Sequence, residues 1–85
     1  MVDYIEQFNT AVNIVNNLNE RPSDEILLNL YGFYKQATEG DNITPQPSIF
    51  SLKKKSKWEA WNKNKGMAKI QAQLQYISLA LKLKS

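Results

Sequence analysis

An all-α fold, a bundle of four helices, is the fold class the sequence predicts, and three observations predict it. Apolar residues recur at steps of three and four in four separate stretches. No stretch alternates apolar and polar residues as a half-buried strand does. Of the three breaks between the stretches, two are short, and one of about a dozen residues carries Pro45 and Pro47. A break that long can run the length of a bundle and join two parallel helices. With 85 residues the chain suits one domain, residues 1–85, with a thin core. A hydrophobic content of 42% is that of a folded chain and argues against extended disorder.

The first stretch carries Tyr4, Ile5, Phe8, Ala11, Val12, Val15 and Leu18 on one face. Asp3 is the expected N-cap, with Glu6 as its capping-box partner. Asn9, Asn13, Asn16 and Asn17 occupy the outer side and are weak helix formers, so this helix must depend on packing. Arg21-Pro22 closes the region, because proline disfavours the α conformation in the residue before it. Ser23 opens a second helix as N-cap, and Asp24 and Glu25 suit its positive end. Its apolar stripe is Ile26, Leu27, Leu30, Tyr31, Tyr34 and Ala37, and Gly40 is its stop.

The long connection spans residues 41–52. The third helix is expected over about 54–65, with Trp58 and Trp61 on one face as core residues and Gly66 as terminator. The fourth is expected from Met67 to Leu83, with Ile70, Leu74, Ile77 and Leu81 as its buried stripe and Tyr76 at the stripe's edge.

Charge is unevenly placed. Residues 1–42 hold seven acids against Arg21 and Lys35, a net −5; residues 43–85 hold nine lysines against Glu59 alone, a net +8. A basic half favours an anionic partner without naming it. Chemistry is more restricted. No histidine and no cysteine are present, which removes the commonest general base, disulfides and thiolate metal sites. No GxSxG or GxxxxGK[ST] motif occurs. The acids form no spaced pair for acid–base work, and no metal ligand set is evident. No apolar run approaches the roughly 20 residues of a membrane span. The acidic N-terminal residues do not read as a signal peptide, so a cytoplasmic location is expected. Binding, not catalysis, is the expected class.

Two clusters could bind. In YGFYKQATEGD, residues 31–41, Tyr31, Tyr34 and Lys35 fall on one side of a helix. They read either as core-edge phenols with a snorkelling lysine or as a surface for something flat and anionic. In KKKSKWEAW, residues 53–61, Lys53, Lys54, Lys55 and Lys57 crowd a helix start, where the dipole prefers acids. The cluster is either a solvated basic face or a phosphate site. A nucleic-acid or anionic-membrane binding module is the alternative reading of the basic half.

Together, YGFYKQATEGD and KWEAWNKNKGM resemble the acyl-CoA-binding protein family, whose hallmark is Y-x-x-Y-K-Q-A-T-x-G-D followed by K-W-D/E-A-W-N-x-x-K-G. Both blocks stand in order and at the family's separation. The resemblance implies an up-down-down-up bundle and a non-enzymatic carrier of long-chain acyl-CoA in the cytosol. That reading needs no cofactor, no nucleic acid, no stable membrane insertion and no second subunit. By position it implies that Tyr31 and Lys35 hold the 3′-phosphate with Lys57, and that Tyr34 walls the adenine. Tyr76 and Lys53 would be further contacts. Phe8 and Val12 match positions near the adenine, and Leu27 and Leu28 match the acyl groove. Asn16 stands where the family commonly has lysine, so one charge contact is expected to be missing. The loop TPQPSIFSL lacks the family's common Arg-Pro-Gly step, and Lys54 replaces a common glycine.

Overall fold

Ser23, Gly40 and Gly66 punctuate the chain. In a computed structural model, which describes residues 4–84, they bound four helices: α1 (Ile5–Asn16), α2 (Asp24–Glu39), α3 (Leu52–Asn62) and α4 (Lys69–Lys84). No strand occurs among the described residues. Ser23 is extended and its side chain accepts from the Ile26 N–H at 3.2 Å, as a helix N-cap should. Gly40 ends α2 at φ +83°, a conformation that side chains with a Cβ rarely adopt. Asp3 lies outside the described residues; Tyr4 occupies the N-cap of α1 without a side-chain cap.

The helix pairings fix the topology. Along α2 and α3, Tyr31 meets Lys57, Gly32 meets Ala60 and Lys35 meets Trp61, so both run the same way. The connection 40–51 makes this possible by crossing back along the pair. α4 is antiparallel to α2: the Gln36 amide Nε2 near the end of α2 donates to the Met67 carbonyl just before α4, at 2.8 Å. α1 is parallel to α4: the Tyr4 N–H reaches Gln73 Oε1 at 3.4 Å, and Phe8 meets Tyr76. The order is therefore up, down, down, up.

The connection is tied down by the two tryptophans. Trp61 Nε1 donates to the Gly40 carbonyl at 2.8 Å, and Trp58 Nε1 donates to the Thr44 carbonyl at 3.0 Å. Trp61 is buried, whereas Trp58 is half-buried against the loop. Asn42, itself buried, accepts from the Thr44 N–H at 2.9 Å. Asp41 Oδ1 accepts from Gln36 Nε2 at 2.9 Å and from the Gly66 N–H at 2.8 Å, so one carboxylate joins the end of α2 to the α3–α4 joint. Both bonds hold the carboxyl below its usual range, the Gly66 bond most and the Gln36 bond next.

Three of the helices depart from expectation. The buried face of α4 is Ala72, Gln73, Tyr76 and Ala80; Leu74 and Leu81 are exposed. Alanines let α4 approach α1 and α2 closely, which larger side chains would prevent. Tyr76 thus sits in the middle of the buried face, not at its edge. α3 starts earlier than expected, with the Lys55 N–H already donating to the Ser51 carbonyl, and ends earlier because residues 62–67 form successive tight turns. Gly66, at φ +91°, ends these turns, not the helix. In α2, Gly32 and Gln36 join Leu30 and Ala37 in the interior, whereas Tyr34 is 40% exposed.

Candidate functional site

Helix α2 is the backbone of the site, because it alone touches both α3 and α4. Its parallel pairing with α3 opens a cleft of about 490 Å³. Leu27, Leu28 and Tyr31 come to it from α2, and Leu52, Lys53, Ser56 and Lys57 from α3. Arg21 and Asp24, joined by an ion pair of 2.8 Å, close the end beside the first turn of α2. Leucine spacing along the cleft gives it an apolar lining, and the helix start that carries the lysines gives it a cationic rim.

Lys57 Nζ lies 5.3 Å from the centre of the Tyr31 ring, within cation–π range. No carboxylate among the described residues pairs with Lys53, Lys54 or Lys57. One turn beyond Tyr31, Lys35 Nζ lies 4.7 Å from the centre of a Trp61 ring and pairs with Glu39. That hydrogen bond raises the Lys35 pKa above its ordinary value, so it stays a cation across the neutral range.

A second group forms where α1, α2 and α4 meet. The Phe8 ring lies 5.1 Å from Tyr76, edge to face, and 5.8 Å from Tyr34, while Tyr34 and Tyr76 are 6.4 Å apart. Burial raises the Tyr76 pKa, and the nearby Tyr34 adds to the effect, so its hydroxyl remains a hydrogen-bond donor well past neutrality. Val12 packs against the same core.

The sequence-derived residues thus fall into two adjoining groups linked through α2. Leu27, Leu28, Tyr31, Lys53 and Lys57 share the cleft; Phe8, Tyr34 and Tyr76 share the aromatic cluster, with Val12 packed behind. Lys35 stands beside both tyrosines of its own helix. Asn16 is exposed on the last turn of α1 and lines none of these surfaces. Arg21, Asp24, Leu52 and Ser56 escaped sequence reasoning. Their local pattern carries no binding signal, and only the parallel register of α2 on α3 places them opposite one another. A groove on the other side of the same seam carries Glu25 and Glu59 against Lys63 alone, which suits an anion poorly.

The comparisons with known proteins accord with this geometry. The family model described as Acyl CoA binding protein matches residues 5–80. This chain belongs to the acyl-CoA-binding protein family. It is 52% identical over 73 residues to an acyl-CoA-binding protein homolog of Drosophila melanogaster, covering 86% of this chain and 85% of that protein. It is 46% identical over 72 residues to an acyl-CoA-binding protein of Saccharomyces cerevisiae, covering 85% and 83%. The crystal structure of acyl-CoA-binding protein 2 from Oryza sativa superposes with a TM-score of 0.88 at 39% identity, covering 93% of this chain and 88% of that one. The acyl-CoA-binding protein family is one of binding proteins, in keeping with a site of aromatics, leucines and lysines. No group of three or more potential metal ligands occurs among the described residues.

Proposed function

We propose that this chain is a single-domain, monomeric carrier of long-chain acyl-CoA thioesters in the cytoplasm, binding one ligand and catalysing nothing. The observation that carries this reading is the α2–α3 cleft, in which Leu27 and Leu28 lie beside Tyr31, Lys53 and Lys57. Family membership supports it. Coenzyme A presents a 3′-phosphate, a pyrophosphate and a flat adenine, and the acyl chain is apolar. Lys35 and Lys57 supply charge for the 3′-phosphate, and Tyr31 its hydroxyl. The aromatic cluster of Phe8, Tyr34 and Tyr76 supplies a wall for the adenine, and Leu27 and Leu28 the seat of the chain. Lys53 adds a cation at the mouth.

Magnitudes rank these contacts. A charge-assisted hydrogen bond contributes roughly 1.5–3 kcal/mol. A stacked base contributes about 1–3 kcal/mol, by analogy with nucleic-acid sites. Each buried methylene contributes up to about 0.8 kcal/mol. Association and ordering costs offset several kcal/mol of the total. The nucleotide therefore anchors the ligand, and chain length tunes its affinity. The lysines cluster at one helix start and form no extended stripe, which favours this ligand over nucleic acid. Calorimetric titration should give one-to-one saturation with palmitoyl-CoA, and weaker binding of coenzyme A alone and of palmitate alone. Equal affinity for all three, or no saturation, would refute the carrier reading.

A further inference from the structure

The connection before α3 carries apolar side chains that neither the core nor the cleft employs. Ser51 N–H donates to the Ser48 carbonyl at 3.1 Å, and Phe50 N–H donates to Ser48 Oγ at 3.2 Å. This hydrogen-bonded turn holds Ile49 and Phe50 at its corner, 66% and 91% exposed. Leu52 follows at 72%, then Lys53, Lys54 and Lys55. Residues 42–58 contain four lysines and no acid.

We propose that this tip is a docking surface for an anionic lipid bilayer, reversible and peripheral, with Ile49 and Phe50 entering the interface and the lysines facing the headgroups. Two features select this occupant. A convex two-residue apolar tip can enter a fluid interface without a shaped partner pocket. The basic residues beside it complement a negatively charged leaflet, and a weak apolar anchor plus a polybasic patch is the combination that gives useful yet reversible binding. A second copy of the chain fits worse, since a symmetric contact at this tip would bring the two lysine clusters together. No helix among the described residues is long and apolar enough to cross a membrane, so binding stays at the surface. Leu52 and Lys53 also line the cleft, so docking would hold the cleft mouth near the lipid; this consequence rests on the carrier reading.

The test is co-sedimentation of the full chain with phosphatidylcholine vesicles containing phosphatidylserine, against pure phosphatidylcholine vesicles. Binding is expected to the anionic vesicles and to fall in about 1 M salt, where the Debye length shrinks to about 3 Å. Ile49→Ser/Phe50→Ser and Lys54→Gln should each weaken it, the former by at least about fivefold and with its palmitoyl-CoA affinity unchanged by calorimetry. Absence of wild-type binding to anionic vesicles, or equal binding by the double variant, would overturn the proposal while leaving the carrier reading intact. Concentration-dependent dimerisation that Phe50→Ser abolishes, without vesicle binding, would assign the tip to a second copy and also overturn it. Loss of palmitoyl-CoA binding by the wild type, with vesicle binding retained, would remove the carrier reading alone.

Discussion

Lys57 and Lys35 show how the same residue type serves two settings within one site. Lys57 is exposed beside the Tyr31 ring with no carboxylate partner, whereas Lys35 is held over Trp61 and tied to Glu39. On the proposed reading, replacing either with alanine removes a charge that faces the ligand. Losing about 1.5–3 kcal/mol corresponds to roughly a ten- to hundredfold weaker palmitoyl-CoA affinity by calorimetry. Folding should change little, since exposed ion pairs contribute only about 0.2–1 kcal/mol. Affinity within threefold of wild type, about 0.65 kcal/mol, would show that these lysines do not hold the phosphate. Trp61 differs, because its indole N–H supports the loop. Trp61→Phe leaves the Gly40 carbonyl without its donor and should cost about 1–3 kcal/mol in the denaturant midpoint. Unchanged stability would mean that the loop is held by other contacts. The tyrosine and lysine pattern was visible in the sequence because helical spacing puts Tyr31, Tyr34 and Lys35 on one side. Their division between the cleft and the aromatic cluster came from the family resemblance and not from the spacing, because Phe8 and Tyr76 reach Tyr34 only through the fold.

Helices α2 and α3 approach where Gly32 faces Ala60. A Cβ on Gly32 would overlap the Ala60 carbonyl oxygen and come within 2.9 Å of its carbon and 3.0 Å of Asn64 Nδ2. Gly32→Ala gains helix propensity of about 1 kcal/mol, but the overlap is with backbone, which cannot turn aside. Overpacking of this kind costs about 1–3 kcal/mol, so the variant should unfold at lower denaturant and bind palmitoyl-CoA more weakly as the cleft is deformed. A stability gain would show that the helices can separate freely. Asp41 links the same elements through a pH-sensitive contact. Its folded pKa lies below the ordinary value of about 3.9. Its stabilisation is therefore complete above that value and is lost as pH falls through the lower folded pKa. Thermal unfolding of Asp41→Asn should depend less on pH in that acid window than the wild type; identical profiles would deny Asp41 this role. The Ser23 cap and the Gly40 stop were legible because their chemistry is local. The buried face of α4 was not: Ala72 and Ala80 carry little hydrophobic signal, and Gln73 is buried with its Oε1 accepting from the N–H of Tyr4, in a distant segment. Apolar spacing of three and four therefore pointed to Leu74 and Leu81, which the helix turns outward.

The whole bundle spans 36 × 35 × 14 Å, about two helices thick. Its interior is built largely from small side chains, with Ala11, Ala37, Ala72 and Ala80 beside Phe8, Leu30 and Tyr76. Such a core leaves little reserve, and the proposed site draws side chains from all four helices: Phe8 of α1, Tyr31, Tyr34 and Lys35 of α2, Lys53 and Lys57 of α3, and Tyr76 of α4. α1 makes no backbone approach to α3, so a ligand reaching from the aromatic cluster to the cleft would connect elements that the protein itself leaves apart. Ligand that binds only the folded state at about a hundred times its Kd adds about 2.7 kcal/mol. In a domain of this size each kcal/mol raises Tm by about 4–8 °C. Palmitoyl-CoA at that excess should therefore raise Tm by roughly 10–20 °C, whereas palmitate at the same concentration should raise it far less. Calorimetric scans with both ligands check this. A shift with palmitate equal to that with palmitoyl-CoA would place the binding energy in the acyl chain alone and would contradict an anchor at the nucleotide.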